Sequence, residues 1–437
     1  MAWICHFSNL EIRKVLPLSN KIFERAIKSF FGKNTTIYND FATWNTVWIK
    51  EFEEIKDIDL HIIAPHVGLL KTNYEFEMHG IKYHFFKPQD VSIFSQVFRK
   101  LKIKKESSDY NRNRKYIRQF IDRIQPDLVN LMGAENPHYS ISALDIDNQK
   151  VPLVVSLQTV YSDPDFEVKL GKLYSQYRKK VEILILRHAK YFGCGGLRFY
   201  DLVKSINPDA HFFKLFFPIR EVDQDVRIQK KYDFAFWGNI DNPSKGAIDA
   251  IKALSLVKKN IQSVTLNIIG RCSEGYLGFL KDLISELGLQ SNVVFSDYFE
   301  LHDDLFKQIQ KSKIALLPFK LDVITSTVRE AMMLKMPVVT NATTGTPYLN
   351  RDKQVVVLTD IDNIEMLAEN MLKVIHNESL QLELVRNATE FYENEFKPST
   401  IAEEIVKTYE AIIGHFYEGL PISKQRLFNA SDFPAYK

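Results

Sequence analysis

Cysteine is scarce in this chain: Cys5, Cys194 and Cys272 are the three in 437 residues. They are far apart, without metal-binding or redox spacing, which excludes a disulfide framework and points to a reduced compartment. No apolar run approaches the roughly 18 residues that a membrane-spanning helix needs. The start, MAWICHFSNL, lacks a basic stretch before a long apolar one, so no secretory signal is evident and a cytosolic location is expected. A strong net charge is missing as well, the balance being +3. No aromatic-basic recognition module accompanies it, which argues against nucleic acid as a partner. What is present is ordinary for a soluble globular protein, 45% hydrophobic and 25% charged residues. The length exceeds one ordinary core and predicts two domains.

The small net charge hides an asymmetry. Residues 1–220 hold 33 Lys+Arg against 24 Asp+Glu, a balance of +9, whereas the remainder holds 24 against 30, or −6. The excess peaks in residues 99–118, where nine basic side chains meet only Glu106 and Asp109. Just before it, Phe94, Val97, Phe98 and Leu101 recur at helical spacing. An apolar stripe beside a basic face suits an anionic membrane surface, where each basic residue contributes about 1 kcal/mol. A solvated helix with one core-facing stripe is the equal alternative for residues 94–118. In the first case the protein sits at the inner face of the cytoplasmic membrane.

The second half alternates apolar runs and amphipathic stretches. Strands are expected at 232–237, 264–269, 293–295, 314–317, 337–340 and 355–358, with helices at 246–258, 276–287, 302–311 and 327–335. Such alternation predicts a parallel sheet wrapped by helices. Further helices are expected at 362–377, 379–394 and 399–415. In the first half, 59–65, 127–132, 152–157 and 190–194 read as buried strands, and 41–55 and 168–189 as helices. Pro218 in the polar stretch 216–231 marks the boundary. The resulting division is 1–220, 230–398 and a terminal helix and tail, 399–437.

Chemistry concentrates in residues 311–340, KSKIALLPFKLDVITSTVREAMMLKMPVVT. A strand ends at Pro318, and a helix opens around Thr325, Ser326 and Thr327. The free N–H groups of that first turn, from Ile324 to Thr327, and its positive dipole end make an anion-binding corner. Thr327 and Glu330 also match the T-x-x-E capping box, a structural rival for Glu330. In FAFWGNIDNPSKG (234–246), Gly238 permits a tight turn after a strand and Lys245-Gly246 opens a helix. A lysine there opposes the helix dipole by a few tenths of a kcal/mol, a cost that makes sense if Lys245 faces a diphosphate. Arg271 follows a strand in LNIIGRC and suits phosphate oxygens, or caps a neighbouring helix. Three D-x-D pairs, Asp145/Asp147, Asp163/Asp165 and Asp360/Asp362, lack the setting of a metal site. Neither a metal nor another cofactor is required.

The segment 322–339 resembles the acidic E-x7-E element of retaining GT-B glycosyltransferases of the family 4 type. Glu330-Ala331-Met332 and Pro337-Val338-Val339 keep the pattern, and Asp322 replaces the first Glu. FAFWGN…KG resembles their phosphate-binding F-x-G-R…K-G element, with Asn239 in place of the Arg. Gly345 in ATTGTPYL resembles their G-G-x-P-E turn. IQPDLVNLM (124–132), VPLVVSLQT (151–159) and the terminal FKPSTIAEEIVKTYEAI are similar to further stretches of the family. Gln158 stands where a His often follows the strand.

The resemblance implies an α/β fold of the GT-B kind, two Rossmann-like domains facing across a cleft. It implies transfer of a sugar, with retention, from a nucleotide-diphosphate sugar to a hydroxyl of a glycan or lipid-linked acceptor. Glu330 would then accept hydrogen bonds from ribose hydroxyls. Lys245, Arg271 and the amides of Ile324 to Thr327 would hold the diphosphate, and Asp322 would address the donor sugar. Gly238, Asn239 and Gly345 would line the donor site, while His138 and Gln158 are the candidates on the acceptor side. Two alternatives stay open: a nucleotide-sugar 2-epimerase of the same fold, and a non-catalytic partner subunit.

Overall fold

The computed structural model describes residues 1–19, 40–89, 109–164, 172–296, 299, 302–320 and 324–433, with side chains at 172–175 left aside. Asp322 and the stripe from Phe94 to Leu101 lie outside the described residues. The chain divides into two compact units. The first contains Met1–Gly195, Phe199–Pro218 and Ile401–Phe428; the second is built on Ile219–Thr400. The helix Pro398–Glu418 thus contributes most of its length to the first unit. No helix among the described residues is long and apolar enough to cross a membrane.

The first unit is built on an eight-stranded sheet. Its strands are β1 (Ala2–Ile4), β2 (His61–Pro65), β3 (Asn73–Met78), β4 (Ile81–Phe86), β5 (Val129–Met132), β6 (Leu153–Ser156), β7 (Tyr191–Cys194) and β8 (His211–Lys214). The order is β3-β4-β2-β1-β5-β6-β7-β8, and all neighbours are parallel except β3 and β4. β1, β5, β6 and β7 are buried along their whole length, as strands covered on both faces must be. The β3–β4 hairpin turns through His79 (φ 52°) and Gly80 (φ 78°), a two-residue loop with both central residues left-handed. Its edge strand alternates exposed and half-buried residues and carries Glu75 and Glu77, charges that discourage edge-to-edge pairing.

The second unit holds six strands: β9 (Tyr232–Trp237), β10 (Leu266–Ile269), β11 (Val293–Ser296), β12 (Ser312–Leu317), β13 (Val338–Asn341) and β14 (Val357–Thr359). They are all parallel, in the order β11-β10-β9-β12-β13-β14. In chain order this is 3-2-1-4-5-6, the doubly wound Rossmann arrangement, with the direction of winding reversing between β9 and β12. Omitting the hairpin strand β3, the first sheet reverses in the same way between β1 and β5. Each reversal leaves a crevice at the carboxyl ends of two adjacent strands, which is where such sheets bind ligands.

The terminal helix is anchored to the first sheet by a buried polar chain. Asn130, fully buried in the middle of β5, donates through Nδ2 to the Tyr409 hydroxyl at 2.6 Å and accepts from Ser156 Oγ at 2.9 Å. Tyr191 on β7 bonds the same helix at His415 Nδ1, 2.8 Å away.

The helix Asn111–Ile124 turns Asn113, Ile117 and Phe120 into the core. Arg114 is held by Asp145 at 2.7 and 2.5 Å, and Arg112 reaches the carbonyls of Lys87 and Pro88, while Lys115 and Arg118 are exposed. Within the described part of the basic patch, two of the cations therefore brace the fold.

Candidate functional site

The crevice between β9 and β12 gathers the residues of the two main motifs. β9 ends at Trp237, and the chain turns at Gly238 with φ +142°, a conformation open to glycine alone. Gly270, beyond β10, has φ +141°, and a Cβ on it would stand 2.1 Å from the Gly238 carbonyl oxygen. The loops after these strands are laced together. Ile240 N–H donates to the Arg271 carbonyl at 3.2 Å, and Asp241 Oδ1 accepts from Ser273 N–H and Oγ–H, both at 2.8 Å. Asn239 and Arg271 themselves are exposed.

Lys245 does not open the helix directly. It ends a short 3-10 turn, Pro243–Lys245, and left-handed Gly246 (φ +79°) caps the helix Ala247–Val257. Gly246 is needed for closeness too, since a Cβ there would lie 2.1 Å from the Pro318 carbonyl oxygen. That approach brings the turn after β9 against the end of β12. It places the Lys245 ammonium over the Phe319 ring, 4.7 Å from its centroid. Among the described residues Lys245 has no ion-pair partner. Burial pulls its pKa below the ordinary lysine value, opposed by the charge of Glu330.

Glu330 lies in the helix Ser326–Met333, whose N-cap is Thr325 rather than Thr327: the Thr325 hydroxyl accepts from Val328 N–H. The T-x-x-E capping box is therefore not formed. The Glu330 carboxylate turns instead to β9, where Oε2 accepts the indole Nε1–H of Trp237 at 2.8 Å. Burial pushes the Glu330 carboxyl above the usual carboxylate range. The Trp237 hydrogen bond and the charges of His302, Arg329 and Lys245 resist that shift. Buried Arg329, against the Phe396 ring, is itself pulled down to about 10 by desolvation.

Ile324, Thr325 and Thr327 are buried at this corner and Ser326 is exposed. The first-turn N–H groups have no acceptor within their own helix apart from the Thr325 cap. Gly345 is different in kind. Its backbone is right-handed helical, and its N–H donates to Thr343 Oγ1 at 3.3 Å at the head of a 3-10 turn. A close approach or left-handed turn therefore does not explain the glycine. His138 and Gln158 follow β5 and β6 of the first unit. Trp237 and Phe319, which orient the carboxylate and floor the lysine, carry no signal of their own in the sequence, because each looks like the buried end of a strand.

Two doubly wound α/β units, one carrying a lysine and a carboxylate at its reversal point, define the GT-B fold. Solved structures share the fold, among them the following three. Sucrose-phosphate synthase from Thermosynechococcus elongatus superposes with TM-score 0.60 at 12% identity, over 81% of this chain and 89% of that one. Anabaena HepE, solved in complex with UDP, gives 0.60 at 16%, over 84% and 96%. A glycosyltransferase from Rickettsia africae gives 0.56 at 14%, over 84% and 94%. No curated protein matches the chain by sequence. Residues 219–391 match the family model of glycosyl transferases group 1. That match lies within the second unit, and the chain as a whole has the GT-B fold.

Proposed function

We propose that this protein is a retaining glycosyltransferase that moves a sugar from a nucleotide-diphosphate donor to a hydroxyl of a glycan or lipid-linked acceptor. The observation that carries the reading is the convergence of Lys245 and Glu330, from opposite sides of the β9/β12 reversal, beside a helix N-terminus. A carboxylate can meet two adjacent ribose hydroxyls. Its fixed orientation by Trp237 suits that task. Lys245 is a desolvated cation placed for phosphate, and the amides from Ile324 to Thr327 add oriented dipoles. Arg271, which follows β10, is assigned as a further phosphate ligand, and Asp322 to the donor sugar.

In this mechanism the bond between the sugar's anomeric carbon and the diphosphate oxygen breaks, and charge develops on the leaving diphosphate. Lys245 and the helix amides stabilise that charge where it forms, and fixed dipoles aimed at developing charge usually contribute more to catalysis than any other effect. The acceptor oxygen bonds to the same face of the anomeric carbon, and its proton passes to a diphosphate oxygen. No separate base is then needed at Gln158.

The test is thermal stabilisation by a panel of nucleoside diphosphates and nucleotide sugars, led by UDP because the HepE structure holds it, on wild type and Glu330→Ala. Selective stabilisation lost in the variant names the donor. No shift with any nucleotide would sink the reading in favour of a non-catalytic partner. Conversion of the sugar nucleotide without an acceptor would favour the 2-epimerase. For residues 94–118, flotation with anionic but not neutral vesicles is the corresponding test of a membrane surface.

A further inference from the structure

The first unit has a second constellation at its own reversal point, between β1 and β5, where the acceptor-side candidate His138 meets a histidine that no motif marks. His6 follows β1 and His138 follows β5, and their rings meet edge to face with centroids 5.5 Å apart. Both pack on Tyr139, at 5.0 and 5.1 Å, and Tyr139 is buried with its hydroxyl donating to the Met132 carbonyl at 2.7 Å. Their backbones are pinned from below. Buried Asn45 donates to the His6 carbonyl at 3.2 Å, and buried Asn113 to the His138 carbonyl at 2.8 Å. The rings are held, yet among the described residues their nitrogens have no hydrogen-bond or ion-pair partner.

Two of the neighbouring charges, Arg178 and Glu182, are already engaged. Arg178 donates from Nε to the Glu135 carbonyl at 2.7 Å and from Nη2 to Asn136 Oδ1 at 3.0 Å, and its face lies 3.8 Å from the Tyr161 ring centroid. Glu182 accepts the N–H groups of Tyr161 and Ser162 at 3.0 and 2.6 Å. The Glu135 carboxyl is buried over Gly133, with Oε1 on Asn136 at 2.8 Å and no partner for Oε2. A buried, half-satisfied polar group of this kind calls for an explanation in function or a ligand.

Burial, reinforced by the Arg178 charge, pulls His6 down to about 4; burial, His6 and Arg178 pull His138 down to about 3. Glu135 is pushed up to about 7 by burial. At neutral pH each ring therefore presents one N–H donor and one bare nitrogen acceptor. A hydroxyl group is also donor and acceptor at once. A cation would meet Arg178, and an anion would find two uncharged rings and a guanidinium whose Nε and Nη2 are engaged by Glu135 and Asn136.

We infer that His6 and His138 form a hydroxyl-binding pair that takes an uncharged sugar, the acceptor end of the reaction proposed above. This rests on the glycosyltransferase reading, and the donor assay tests that reading separately. Histidine ring resonances of the intact protein, assigned through His6→Phe and His138→Phe, are followed during titration with neutral mono- and disaccharides, glucose 6-phosphate and inorganic phosphate. Neutral sugars should shift both rings. Each Phe variant, which keeps the ring packing on Tyr139, should weaken binding at least tenfold while keeping the wild-type nucleotide stabilisation. Wild-type sugar affinity in both variants, or ring shifts with the phosphates alone, would overturn the assignment. Should a variant fail to fold, the wild-type titration decides: no neutral sugar moving either ring refutes it. Absence of nucleotide stabilisation in wild type would instead refute the donor reading.

Discussion

Trp237→Phe is the substitution that separates a positioned carboxylate from a merely buried one. Phenylalanine keeps an aromatic ring at a site that is 1% exposed but removes the Nε1–H that Glu330 Oε2 accepts at 2.8 Å. A hydrogen bond to a charged group contributes about 1.5–3 kcal/mol, and the smaller ring leaves a gap costing about 1 kcal/mol more. The folded protein should therefore lose about 2.5–4 kcal/mol, measured by chemical denaturation. In a cycle with Glu330→Ala the two effects should couple by more than 1 kcal/mol, whereas independent sites add to within about 0.5 kcal/mol. Binding gives the sharper readout. If Trp237 aims Glu330 at the ribose, Trp237→Phe should weaken the preferred nucleoside diphosphate about tenfold, or 1.4 kcal/mol. The 2′,3′-dideoxy analogue, which offers Glu330 nothing to accept, should bind both proteins alike. Equal weakening of both ligands, or an additive cycle, would refute the positioning argument.

Three further outcomes follow from the same geometry. Affinity for a nucleotide sugar should fall at both pH extremes. Glu330, raised by burial, takes up a proton above the usual carboxylate range, and Lys245, lowered by burial, loses one below the usual lysine range; Glu330→Gln should remove the acid limb and Lys245→Met the alkaline one in a calorimetric pH series. Gly246→Ala should cost more than Gly288→Ala by at least about 1 kcal/mol in denaturation, because both adopt φ near +70° at about 1–2 kcal/mol, yet only Gly246 would drive its Cβ to 2.1 Å from a carbonyl oxygen. Tyr409→Phe should lower stability by about 1–3 kcal/mol, since it leaves the amide of fully buried Asn130 without its 2.6 Å partner.

The second unit was legible because its strands are short, apolar and separated by amphipathic helices. The expected 232–237 is the observed β9, and the others differ by one or two residues at one or both ends. The first unit was harder for identifiable reasons. β1 is three residues at the chain start, too short for any periodicity to register. The hairpin at 73–86 turns on His79-Gly80 rather than Asn-Gly or Asp-Gly, the dipeptides that announce such a turn. β8, HFFK, is a four-residue run with no alternation.

The site divides along the same line between local and distant information. The helix N-terminus at Thr325 and the glycine turns at Gly238 and Gly246 are local, because N-cap chemistry and left-handed backbone leave marks on adjacent residues. The partner of Glu330 leaves none: Trp237 stands 93 residues away and meets the carboxylate only because β9 and β12 are neighbours in the sheet. The same holds for His6 and His138, which the pairing of β1 with β5 brings together. A reversal in strand order juxtaposes loops that are remote in sequence. The chemistry of each unit therefore sits where local patterns are least informative, and residues flanking a reversal merit substitution before those of the recognisable motifs alone.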